Sequence, residues 1–329
     1  MYWIEFFLSS FFIILAGIRL TKYADRLSDV LNLGKLWIGI VLLGFVTSLP
    51  EAITCVVSIV KLEANDLAVG NLLGSNNFNV FLIFLMDLVY RKGAVTNKIS
   101  SKKSHYFSAG ISLFLMMMVV AQMTFGEALS RFNVGYVSIL MITVGVVYLG
   151  GMWVLRSIEK NSEVAEVSGS KNHSLSEIWI NLIISSLVVV VSAMWLAKSA
   201  DIIAVQTGLG RSFVGTVLLA LVTSLPEMVV TLSALRLGAF DLAVGNIFGS
   251  NMTNMFIMFV CALIYTKGGF LLTVSQTHIF TPLVGFLMTL IVLRGIAVKH
   301  KPVIFGLGLD AIFVAVLFFG GNFILYLVK

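Results

Sequence analysis

Charge is scarce in this 329-residue chain: Asp, Glu, Lys and Arg together make up 12% of it, about half the share usual in soluble domains. Hydrophobic residues reach 59% and mean hydropathy is +1.01, which excludes a water-soluble globule. Cysteine is nearly absent. Cys55 and Cys261 lie in separate apolar runs and match no zinc or redox spacing, so both are expected as buried packing thiols. The opening MYWIEFFLSS has no basic n-region and no small-residue cleavage site, so the first run is expected as a permanent span rather than a signal peptide. The short alternating segments of an outer-membrane barrel are also missing.

What is present is a series of apolar runs long enough for helices that cross a bilayer, about 20 residues each. Ten can be read, at 3–29, 36–60, 66–90, 105–124, 133–155, 176–206, 212–236, 242–265, 277–296 and 303–327. The expected fold is an all-α membrane protein of ten transmembrane helices. With the N-terminus outside, 15 basic residues fall in loops on the inner side and 5 on the outer. Basic loops stay cytoplasmic, so both termini are expected outside, in the plasma (cell inner) membrane. The net charge of +6 is explained by those loops and implies no nucleic-acid partner.

The one long polar stretch, RSIEKNSEVAEVSGSKNHS at 156–174, reads as a cytoplasmic linker. It divides the chain into 1–155 and 175–329, five expected spans each. The halves match. LWIGIVLLGFVTSLPEA (36–52) parallels SFVGTVLLALVTSLPEM (212–228), and NDLAVGNLLGSNNFNVF (65–81) parallels FDLAVGNIFGSNMTNMF (240–256). The offset is 176 up to the glutamate and 175 after it. An odd number of spans per half makes the second half enter from the opposite side. The expectation is therefore two inverted five-helix repeats, an arrangement common in secondary transporters.

The repeated segments carry the chemistry. Pro50 has no N–H and presses on the preceding turn, so the carbonyl near Val46 should lose its helical partner. Thr47 and Ser48 add hydroxyls there, and Glu51 adds a carboxylate in mid-span; Thr223, Ser224, Pro226 and Glu227 repeat the set. An intramembrane acid costs at least about 2.5 kcal/mol on insertion scales and needs a partner. No Lys or Arg stands at that depth in the neighbouring spans, so a bound cation is the natural one. Asn71, Ser75 and Asn79 share one helix face, as do Asn246, Ser250 and Asn254. Gly70 and Gly74, and Gly245 and Gly249, should allow close helix approach. Asn71, Asn76, Asn246 and Asn251 read as mainly structural, and Asp66 and Asp241 as N-caps. No thiolate or imidazole cluster is evident, and His105, His173, His278 and His300 sit near the edges of spans. All-oxygen ligation suits hard cations such as sodium and calcium.

TSLPE followed by DLAVGN-x-x-GSN, twice, resembles the alpha repeats of the cation/calcium antiporter superfamily, especially prokaryotic sodium/calcium exchangers. The resemblance implies no cofactor, transported Ca2+ and Na+ (or H+), and calcium held by Glu51 and Glu227 with the carbonyls of Thr47 and Thr223. It implies sodium sites at Ser48, Ser75, Ser224 and Ser250 and at the carbonyls of Gly44 and Ala220, and a central position at Asn79 and Asn254. The first and sixth spans would slide across the other eight. Three departures bear on ion identity: Val46 and Val222 replace the usual Gly, Asn254 stands where many prokaryotic members have Asp, and Asn77 and Thr253 replace apolar residues. Sodium/calcium exchange and exchange of calcium or another divalent ion for protons both remain open. A passive channel would favour an open symmetric ring. A hydrolase using Ser48 or Ser75 would lack a base at that depth, so no enzyme activity is expected. The partners expected are inorganic cations and lipid; oligomeric state is not encoded.

Overall fold

The computed structural model describes residues 2–162, 174–207, 222–298 and 302–328. They are almost wholly helical. The first span is α1 (Tyr2–Leu31). The second is broken into α2 (Lys35–Ile38), a π-helical turn (Gly39–Leu43), α3 (Gly44–Thr47) and α4 (Leu49–Val60). Then come α5 (Asn65–Tyr90), α6 (Lys102–Phe125) and α7 (Ile139–Ser162). The second half holds α8 (Leu175–Gln206), α9 (Leu225–Arg236), α10 (Phe240–Ile264), α11 (Phe280–Ala297) and α12 (Leu309–Val328). Among the described residues, nine helical stretches are long and apolar enough to cross a bilayer, so the chain is a multi-pass membrane protein. The expected run at 212–236 is described only from residue 222 onward, as α9. Most of the polar linker, 163–173, and His173 and His300 also lie outside the described residues.

Two expected spans start late. Residues 303–308 form a hairpin, β1 (Val303–Ile304) paired with β2 (Leu307–Gly308), before α12 begins. Phe305 and Gly306 between them have φ of 52° and 82°, the backbone of a tight hairpin turn, which no helix can continue through. Residues 134 and 137 make a similar bridge ahead of α7.

Helices α5 and α10 lie at the centre, each with 72% of its most apolar window inside the protein, against 33% for α1 and α8. α1 and α8 pack along each other. α1 also rests on α9, where Thr21 Oγ1 donates to the Val230 carbonyl at 3.4 Å, while α8 lies against α3 and α4. Outward rows such as Ile4, Phe7, Phe11 and Leu15 on α1, or Ile180, Ile183, Leu187 and Val191 on α8, are exposed. Such stripes would aggregate in water and are matched by lipid tails.

Asp66 and Asp241 do not cap their own helices: Ala64 and Ala239 occupy the cap positions. Standing inside the first turn, each carboxylate serves the other half of the chain. Asp66 accepts from the Ser275 N–H at 2.8 Å and lies 3.2 Å from His278 Nε2. Asp241 accepts from the N–H groups of Ser100 and Ser101, both at 3.1 Å, and lies 2.9 Å from His105 Nε2. The two cysteines are buried and adjacent, with sulfurs 2.8 Å apart between α4 and α10.

Candidate cation site

The two broken helices have the same break. Ser48 sits at φ −86°, ψ 0° and Ser224 at φ −84°, ψ 8°, close to the sparsely populated bridge region of backbone space. In each case a new helix starts at the next residue, with proline in its first turn, where the missing N–H costs nothing. The Val46 carbonyl, which Pro50 cannot serve, takes the Ser48 N–H. Neither break needs positive φ, so Val46 and Val222 remain helical and the absence of the usual glycine is accommodated. Glu51 and Glu227 stand in the first turn of α4 and α9. Their carboxylates thus lie by helix N-termini, which favour negative charge.

The breaks are held against each other crosswise. Ser48 Oγ donates to Glu227 Oε1 at 3.4 Å, and Ser224 Oγ lies 3.5 Å from Glu51 Oε1. Ser75 on α5 donates to Glu51 Oε1 at 3.3 Å and lies 3.0 Å from Ser224 Oγ. Thr47 Oγ1 and Ser250 Oγ are 3.2 Å apart, and Ser250 also reaches the Gly44 carbonyl at 3.5 Å. Thr223 donates to Asn71 Oδ1 at 3.2 Å. Asn246, one turn before Ser250, donates to Thr231 Oγ1 at 3.0 Å and to the Glu227 carbonyl at 3.4 Å. This agrees with a structural role for Asn71 and Asn246. The Gly44 surface is tight: a Cβ there would lie 2.7 Å from the backbone of Gly249 and Ser250. Ala220 lies outside the described residues.

Every described candidate side chain is buried, Glu51 at 0% and Glu227 at 1% exposure. Yet Glu51 Oε2, Glu227 Oε2, Asn79 Oδ1 and Asn254 Oδ1 have no hydrogen-bond partner among the described residues. An unsatisfied buried acceptor is costly. Here the two carboxylates and two amides each present an unpaired oxygen, a donor set that a hard cation satisfies and an apolar ligand does not. Asn79 and Asn254 lie one turn beyond Ser75 and Ser250 on the two central helices.

Sequence reasoning missed several partners. Asn77 donates to the Thr281 carbonyl at 3.0 Å and Thr253 lies 3.2 Å from Tyr148 OH. Both departures from the family pattern are therefore engaged in seams with α11 and α7. The amides of Asn76 and Asn251 join Asn79 and Asn254. The constant offset of the repeats signals that such positions correspond, but not which half supplies the partner.

The chain is similar to known membrane proteins. The inner membrane protein YrbG of Escherichia coli is 26% identical over 264 residues, covering 76% of this chain and 75% of the relative. The sodium/calcium exchanger MaX1 of Methanosarcina acetivorans is 40% identical over 77 residues, which cover 23% of this chain and 22% of MaX1. A crystal structure of the sodium-calcium exchanger NCX_Mj superposes with a TM-score of 0.72 at 18% identity, covering 97% of this chain and 98% of the other. The fold is shared. The family model for sodium/calcium exchanger proteins matches residues 1–163 and 177–327. The members of that family are transporters, and this chain, with its paired membrane-buried glutamates, belongs to the sodium/calcium exchanger family.

Proposed function

We propose that this chain is a secondary active antiporter that exchanges calcium for sodium by alternating access, binding its ions between Glu51 and Glu227 near the membrane midplane. The observation that carries the reading is the set of four buried, unpaired oxygens on Glu51, Glu227, Asn79 and Asn254. Two carboxylates balance one divalent ion. The carbonyls of Thr47 and Thr223 complete the calcium position, and when calcium leaves, sodium ions at the hydroxyls of Ser48, Ser75, Ser224 and Ser250, and at the carbonyls of Gly44 and Ala220, rebalance the carboxylates. Residues 1–155 and 175–329 act as inverted five-helix repeats, ten spans in all, joined by a cytoplasmic linker, with both termini outside the cell's inner membrane. α1 and α8, which pack along each other outside the two central helices, carry the switch in access by sliding over the rest. Proton coupling is the second reading, because the site has only two acids and an amide at 254.

The test is calcium flux in proteoliposomes under an imposed sodium gradient, then an imposed proton gradient. Sodium-driven flux supports the first reading and proton-driven flux the second. Calcium movement under neither gradient overturns both.

A further inference from the structure

Asn76 reads in the sequence as a structural amide, but its bonds give it a directing role. Its Nδ2 donates to the main-chain carbonyl of Asn251 at 3.4 Å, and its Oδ1 accepts from Asn254 Nδ2 at 2.9 Å. All three residues are buried. A main-chain carbonyl can only accept, so Asn76 must turn its NH2 toward it. Its oxygen then faces Asn254, which must answer with its own NH2. The oxygen of Asn254 is left on the opposite edge, where it has no partner among the described residues. A flipped Asn254 would present N–H groups there, and these repel a cation.

We infer that Asn76 is a positioning residue that holds Asn254 oxygen-inward as a cation ligand. This inference rests on the reading of the site as a cation site. A carboxylate at 254 has oxygen on both edges and needs no such guidance. One of its oxygens would face Asn76 Oδ1, acceptor against acceptor. Relief would require Asn76 to turn and abandon the Asn251 carbonyl. Asn79 is less firmly set: its Nδ2 donates to Asn251 Oδ1 at 3.0 Å, and among the described residues no main-chain group fixes that amide.

The experiment is a double-mutant cycle on the full chain. Calcium-dependent thermal stabilisation is measured in detergent, and the calcium KM and maximal rate in proteoliposomes. The set is the unmodified chain, Glu51→Gln, Asn76→Leu, Asn254→Asp, and Asn76→Leu combined with Asn254→Asp. Loss of a ligand-orienting partner typically weakens metal affinity about 10- to 100-fold. Asn76→Leu should raise the calcium KM by that factor with little change in maximal rate. In the Asn254→Asp background the same substitution should leave KM unchanged or lower it. Equal weakening in both backgrounds marks a packing role and overturns the inference. So does an unchanged KM for Asn76→Leu where Glu51→Gln removes the calcium response. No calcium response in the unmodified chain overturns the cation site itself, and the positioning role with it. If Asn76→Leu does not fold, Asn76→Ala is read by the same criteria.

Discussion

Ser48 donates its hydroxyl to Glu227 across the interface between the two broken helices, at 3.4 Å. The two residues are 179 positions apart in the chain. Ser224 lies 3.5 Å from Glu51 in the reciprocal contact, so each break is completed by the opposite half. Among the described residues, each glutamate has only Oε1 engaged and Oε2 left open.

That arrangement makes charge, not volume, the property to test. Glu51→Gln or Glu227→Gln keeps side-chain size but replaces one acceptor oxygen with an N–H donor group and removes half of the site's negative charge. Losing one partner of a buried charge pair costs about 3–5 kcal/mol, so divalent transport should fall by at least about 100-fold. The protein should remain folded by size-exclusion and thermal unfolding. Normal tracer calcium flux in either variant would remove that glutamate from the ligand set.

Close backbone packing gives a stability prediction. At Gly44 an added Cβ meets the α10 backbone at 2.7 Å, whereas at Gly150 it meets nothing within 4 Å. Overpacking typically costs about 1–3 kcal/mol. Gly44→Ala should lower thermal stability and transport together, while Gly150→Ala should be near neutral. Equal melting temperatures for the two variants would show that α10 yields freely.

The cross-half aspartates should differ in strength. Asp241 has 16% of its side chain exposed and meets a fully buried His105, whereas the side chain of Asp66 is 58% exposed. Buried hydrogen bonds to charged groups are worth about 1.5–3 kcal/mol, and exposed pairs about 0–1 kcal/mol. Asp241→Asn should therefore destabilise clearly more than Asp66→Asn in a melt, and the reverse order would reject this account of burial.

Movement of α1 can be tested by tethering it. A Cβ on Gly17 would lie 3.4 Å from Val229 Cβ, close to the usual disulfide spacing of about 3.8 Å. Gly17→Cys with Val229→Cys, in a background with Cys55→Ala and Cys261→Ala, should cross-link on mild oxidation. Exchange should stop and return on reduction. Full exchange from quantitatively cross-linked protein would show that α1 does not slide over α9.

Much of this was legible in the chain itself. A bilayer demands long apolar runs, so most span limits could be read to within a few residues. A proline, a hydroxyl pair and an acid stand out in such runs, and their recurrence at constant offset marked Glu51 and Glu227. Spacing could not show that Ser48 belongs with Glu227 rather than with its own Glu51, because the packing of one half against the other decides it. For the same reason Asp66 and Asp241 read as caps and proved to be partners of Ser275 and of Ser100 and Ser101. Composition hid the hairpin at 303–308, where apolar residues continue through a turn that the backbone at Phe305 and Gly306 imposes.

The crossed serines also mean that neither half of this chain owns a finished cage. A product stopped before residue 156 would keep Glu51 with Ser75 but lack the hydroxyl of Ser224, and would have no counter-carboxylate.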